Sequence, residues 1–515
     1  MSDKFYLLSE PMLRFGSDQV TEDPHDGLAL FGPPSPRQSL PDHIVIGTAD
    51  GISLWKDWVT ALNQPSSCEE VARQRPWPPY PGYEVAFGAV WPSPAKEYAL
   101  DSQKLTTAAF MADRYERAYA VANTYLEPIE VNVPRLDAKP SLAVCVVPDD
   151  VYANCRPNSF VVEPSDGKKT FDERKLINSA LKDKRKGQLR MDFGDEPKNL
   201  TQYGLSPDFR RQLKARVMEF DLPVQIVRES TLQITDQVRR GLKGTNPLSD
   251  RLWNMGTALF YKCGQKPWST PWARDGVCYV GLAYRKDERD NRTACCAAQM
   301  FLDSGDGIVF VGDFGPWYSE EKKEFHLTKA AACELLKGVI ATYMQQDGRE
   351  LKEIFLHARS GLEKDEFEGF CQACPPGVKL VGVRVRKDRF GPRLFRHDDH
   401  PEVSRRGMQP VLRGTFWKRT ERHGLLFASG FKPRLATYDG FEIPVPLSIT
   451  IQHGEADIIQ VATDILGLTK LNYNACVLGE SQPITIKYSD RIGEILLANP
   501  DIPRERWRHN FKYYV

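Results

Sequence analysis

Apolar residues fall in short unbroken runs, and stretches of helical periodicity lie between them. His43-Ile44-Val45-Ile46-Gly47 is the first run, and Gly51 to Leu62 follows with Trp55, Val59 and Leu62 at helical spacing, which predicts a β-α unit. Ser141-Leu142-Ala143-Val144-Cys145-Val146-Val147-Pro148 and Pro223-Val224-Gln225-Ile226-Val227 predict two further strands. Runs without polar alternation belong to strands buried on both faces, as in a parallel sheet with helices on either side. Residues 1–40 mix short apolar pieces with Asp23-Pro24 and Pro33-Pro34 breaks and read as an arm carrying edge strands.

A second α/β block follows the Pro-Trp pairs at 267–268 and 271–272. Gly276 to Tyr284, Gly307 to Gly312 and Glu353 to His357 predict strands, and Leu327 to Met344 predicts the helix before the third. A long helix entering the third strand suits an RNase H-like sheet. Helical spacing recurs near 455–467 and 489–498, and the aromatic ending Phe511-Lys512-Tyr513-Tyr514-Val515 predicts a docked terminus. The expected fold class is α/β, with an arm over 1–40, a Rossmann-like unit over 41–270 carrying a charged insertion at about 160–205, and an RNase H-like unit over 271–515.

Charge narrows the chemistry only slightly. Lys plus Arg number 69 against 68 for Asp plus Glu, so a polyanion would have to be held by a local basic site. Eleven scattered cysteines argue against a secreted disulfide framework, and no run of about 18 apolar residues occurs, which together predict a cytoplasmic protein without a membrane segment.

Such a basic site is visible in the middle of the chain. The helix predicted from Phe209 to Phe220 places Leu213, Val217 and Phe220 on one face and sets Arg210 and Lys214 four residues apart on another. Like charges at that spacing repel, so the pair is more easily understood with an anion between them, although by itself it reads first as a solvated basic face alongside Arg211 and Arg216. Gln225 lies inside an apolar strand, where its amide needs a partner. A further cation, Lys262, closes a helical stretch just before Cys263-Gly264. The other clusters read more blandly. Cys371 and Cys374 have zinc-knuckle spacing with no second pair to complete a tetrahedral site, and His397-Asp398-Asp399-His400 lies in a Pro- and Arg-rich loop. The Lys-Asp-Lys-Arg-Lys run at 182–186 reads as a solvated loop.

Arg210, Lys214, Gln225 and Lys262, in this order, resemble the residues with which the MID domain of Argonaute proteins holds a guide 5′ phosphate. Lys243 is an alternative for the last position, because the loop from Gln225 to Lys262 is longer than the family's. The opening segments Glu10 to Gly16 and Gly27 to Pro33 are similar to the amino-terminal strands of prokaryotic Argonautes, and the layout is that of a short Argonaute with MID and PIWI domains only. The resemblance implies a Mg²⁺ ion at the guide 5′ end, held by the carboxylate of Val515. It also implies a guide RNA, a single-stranded DNA target, and an APAZ-containing effector partner of TIR, sirtuin-like or nuclease type. The setting it implies is bacterial defence against plasmids or phage, with higher-order oligomers on activation.

Cutting in such PIWI domains is two-metal chemistry that needs closely set carboxylates. Here Ala283 and Ser360 stand at the first two of those positions, and Asp490 is the candidate survivor, so the sequence predicts a domain that does not cut. The rival expectation is an active nuclease using Asp303, Asp306 or Asp313 with Asp490. A guide-dependent binder that acts without any effector is a third.

Overall fold

The computed structural model describes residues 4–35, 42–67, 77–159, 161, 201–234, 246–286, 294–301, 307–346, 350–396, 409–435, 438, 443–499, 503 and 506–515. A strand from Lys4 to Leu7 (β1) opens it, followed by a two-residue ladder of Leu13–Arg14 with Val20–Thr21 and a helix from Pro24 to Phe31 (α1). That helix corrects the reading of the arm as edge strands alone. Asp23-Pro24 is not a break but a helix start: Asp23 caps the amide of His25 and Pro24 occupies the first turn, where its missing N–H costs nothing.

The first α/β unit contains His43–Gly47 (β2), Ala49–Leu62 (α2), Lys96–Ala99 (β3), Arg114–Asn132 (α3), Leu142–Val147 (β4), Asp149–Asn154 (α4), Phe209–Val217 (α5), Val224–Arg228 (β5) and Leu248–Lys262 (α6). Its four strands pair in the order β3-β2-β4-β5, all parallel. Every residue of β2 and β4 is buried, as their unbroken apolar runs require. The predicted insertion lies largely outside the described residues.

The second unit begins with Val277–Lys286 (β6), Ala294–Phe301 (β7) and Gly307–Gly315 (β8), an antiparallel meander. The helix Lys329–Gln346 (α7) leads to Glu353–Ala358 (β9), and Lys364–Ala373 (α8) leads to Lys379–Lys387 (β10). β9 pairs parallel with both β6 and β10, so the order β8-β7-β6-β9-β10 is that of an RNase H-like sheet. Thr415–Lys418 (β11), His423–Phe427 (β12) and Leu447–His453 (β13) extend it, and β1 returns to pair with β11 at the far edge of nine strands. Helices Ile458–Leu468 (α9) and Ser489–Leu496 (α10) complete the unit.

Residues of β6 alternate between two cores. Cys278, Val280 and Leu282 pack with α7 and α8, whereas Val277, Tyr279 and Ala283 join a cluster that runs through Leu466, Tyr488 and Tyr514 into Trp55, Val144 and Trp253 of the first unit. The two units therefore share one hydrophobic core. Glu10 reinforces the arrangement by pairing with the buried Arg413 at 2.8 Å and the buried Lys470 at 2.6 Å. Among the described residues, no helix is long and apolar enough to cross a membrane.

Candidate functional site

Helix α5 is held at its start by Asp208, whose carboxylate accepts from the amides of Arg210 at 3.0 Å and Arg211 at 3.3 Å. Its apolar residues Phe209, Leu213 and Val217 are buried against β2, β4 and α3, which aims Arg210 and Lys214 elsewhere. β5 brings Gln225 alongside. α6 delivers Lys262 at its last residue, just before Gly264 turns the chain with φ of 88°. The turn Phe511–Tyr513 docks Val515 against them.

All five residues line one cavity of about 240 Å³, with Arg156, Asp208, Arg211, Asn474, Arg491, Glu494 and Tyr514 also in its wall. The charge balance is one-sided. Asp208 is engaged by Arg156 at 3.5 Å and Arg211 at 3.6 Å, and Glu494 by Arg211 at 2.8 Å and Arg285 at 3.3 Å. Arg210, Lys214, Lys262 and Arg491 are left without a carboxylate side-chain partner among the described residues.

Burial makes these cations reactive toward an anion. Lys214 donates to the main-chain oxygen of Val515 at 2.6 Å, and burial, then Lys262, Arg210 and Arg491, hold its ammonium well below the usual lysine range. Lys262 donates to the Val224 carbonyl at 2.8 Å and is pushed down to about 7 by burial, then by Arg210. Arg210 reaches the Tyr152 hydroxyl at 3.0 Å, yet its Nε is buried without a partner among the described residues, as is Gln225 Oε1. The Tyr152 ring lies 5.1, 5.3 and 5.1 Å from the guanidinium carbons of Arg156, Arg210 and Arg228. An anion with several acceptor oxygens would relieve both the repulsion and the unmet donors.

A resident Mg²⁺ does not fit this donor set. Magnesium keeps several waters and is held by one or two carboxylates together with phosphate oxygens. The wall offers the Val515 oxygen, already met by Lys214, and Gln225 Oε1, facing four cations.

The second candidate centre lies where β6 and β9 end. A Cβ on Gly281 would stand 2.1 Å from the Thr485 carbonyl, and one on Gly493 would stand 2.5 Å from Arg285 Cβ, so glycine lets the 484–487 turn and α10 lie directly on β6. On that face Ala283 is buried and apolar. Ser360 Oγ accepts from the Phe325 amide at 3.2 Å. Asp490 is the carboxylate present, and Arg359 holds it at 2.6 Å while also donating to the Ile486 carbonyl at 2.8 Å. A guanidinium thus sits on Asp490.

The other candidates separate from both places. Asp303, Asp306, Lys243, the 182–186 run and His397 to His400 lie outside the described residues, and Asp313 falls on β8 with its side chain undescribed. Cys371 and Cys374 are free thiols at the end of α8, and no group of three metal-ligating side chains occurs among the described residues. Sequence reasoning placed Arg211 on a solvated basic face beside Arg210 and missed Arg156 and Arg491. Arg156 lies just past α4 and Arg491 within α10, on unrelated elements, and neither carries a local signal.

No family model and no curated protein matches the chain in sequence. Solved structures do match in fold. Clostridium butyricum Argonaute, bound to a guide DNA with 5′ deoxycytidine and a 19-mer target DNA, superposes with a TM-score of 0.59 at 13% identity, covering 100% of this chain and 55% of that one. Aquifex aeolicus Argonaute gives 0.54 at 14%, covering 99% and 57%. Aa-Ago with externally bound siRNA gives 0.54 at 15%, covering 99% and 56%. The chain thus spans a little over half the length of these structures, and within that span its α/β architecture is an Argonaute-like fold, with the two units matching MID and PIWI.

Proposed function

We propose that the cavity between α5, β5, α6 and the terminal turn holds the 5′ phosphate of a guide strand, and that the chain recognises nucleic acid through that guide. The convergence of Arg210, Lys214, Gln225 and Lys262 on one cationic pocket carries this reading. Clustered cations without acid side-chain partners, the buried Lys262 among them, are costly to fold, and a phosphate dianion compensates them. Backbone contacts along the second unit would position the strands, while base pairing with the guide supplies sequence specificity. Guide RNA and single-stranded DNA target are the proposed ligands.

The same reading makes the chain a binder that does not cut. Buried Ala283, hydrogen-bonded Ser360 and Asp490 tied to Arg359 support it, since none offers a free carboxylate for a two-metal site. Recognition then needs an output on another chain, and an APAZ-containing effector, an NADase or a nuclease, acting in the cytoplasm against plasmids or phage, is the proposed partner. Replacing Lys214 and Gln225 together tests the guide site: 5′-phosphorylated short RNA should no longer co-purify, and unchanged retention refutes it.

A further inference from the structure

We propose that this pocket takes its phosphate without a divalent cation, the Lys214 ammonium bridging Val515 and the phosphate where a metal would otherwise stand. The inference rests on the guide-end reading above and goes on to the chemistry of the site. Lys214 Nζ lies 2.6 Å from the oxygen of the buried Val515. An ammonium carries three N–H donors. One is spent on Val515, which leaves two for phosphate oxygens. Lys262 likewise spends one on the Val224 carbonyl and keeps two, and Arg210 Nε has its hydrogen unclaimed among the described residues. Five donors from three side chains therefore suit the three terminal oxygens of a phosphate monoester.

A divalent ion has no comparable place. Its charge would add to those of Arg210, Lys214, Lys262 and Arg491 around one cavity, where like charges repel. The acids that would offset it, Asp208 and Glu494, are already paired with Arg156, Arg211 and Arg285, and the Val515 oxygen is met by Lys214. Gln225 Oε1 is a neutral oxygen, and by itself a poor magnesium site.

The test compares binding of the full chain to a short RNA with a 5′ phosphate and to the same RNA with a 5′ hydroxyl, in chelator and in Mg²⁺. Taking the ratio of the two removes the general effect of Mg²⁺ on nucleic-acid charge. The 5′-phosphate preference should stay within about twofold between the two buffers and be lost in both for Lys214→Met. A preference that vanishes in chelator and returns with Mg²⁺ overturns metal independence while leaving the guide-end reading intact. A preference that survives Lys214→Met overturns the bridge, since the ammonium then bridges nothing. No preference in either buffer overturns both.

Discussion

Raising the pH through neutrality should weaken capture of a 5′-phosphorylated strand, because the pocket must take up protons to hold it. In the free protein, burial and then Arg210 bring Lys262 down to about 7. A dianion in contact returns it toward the ordinary lysine range, so the bound form is charged where the free form is not. Around pH 8 most free molecules carry Lys262 uncharged, so binding takes up the larger part of one proton, and the uptake shrinks as the pH falls through about 7. Affinity should fall toward tenfold per pH unit above about 7.5, or about 1.4 kcal/mol. Lys214, lowered for the same reasons, adds uptake of the same sign. The phosphate's own ionisation near pH 6 works the other way, so the window of about 7 to 8.5 isolates the lysines. Calorimetry in buffers of different ionisation heat counts the protons, with 5′-hydroxyl RNA as the baseline. Uptake below about 0.2 proton at pH 8, or uptake unchanged in Lys262→Met, refutes the reasoning. Folding stability should move in the opposite direction. The unfolded chain holds the proton that folded Lys262 loses, so this group's cost is full below pH 7 and fades as pH rises toward the usual lysine range.

Two further outcomes test the rest of the molecule. Installing Ala283→Asp with Ser360→Asp should not produce guide-directed cleavage of labelled target in Mn²⁺ while Arg359 holds Asp490 at 2.6 Å, and product from that double variant would show that the guanidinium does not block the centre. Glu10→Gln leaves Arg413 and Lys470 buried without their acid and should destabilise the fold by about 3–5 kcal/mol, read as a lower Tm at pH 7; a Tm within error of the parent would show that the two cations are compensated elsewhere.

How much of this was legible in the sequence varies by element. The unbroken runs at His43–Gly47 and Leu142–Val147 read as doubly covered strands, and they are buried at every residue. α5 was legible from its apolar face, and its odd pair of like charges pointed to an anion. α1 was not, because Asp-Pro serves turns and helix starts equally, and only the Asp23 cap decides between them. The extent of the basic pocket was not legible either, since Arg156 and Arg491 reach it from α4's far end and from α10.

The sequence by itself determined the alternation of elements, their buried faces, and the residue types at the anion pocket, because periodicity and local charge spacing report which side of a helix or strand is covered. Only the tertiary structure decided what those residues meet. Lys214 and Val515 are 301 positions apart, and Arg359 and Asp490 are 131 apart. Such contacts depend on how elements distant in sequence close around a shared core, and no pattern of period two or 3.6 encodes that closure. Docking of the two units puts Lys214 of the first on Val515 of the second, and the second unit's own closure puts Arg359 on Asp490.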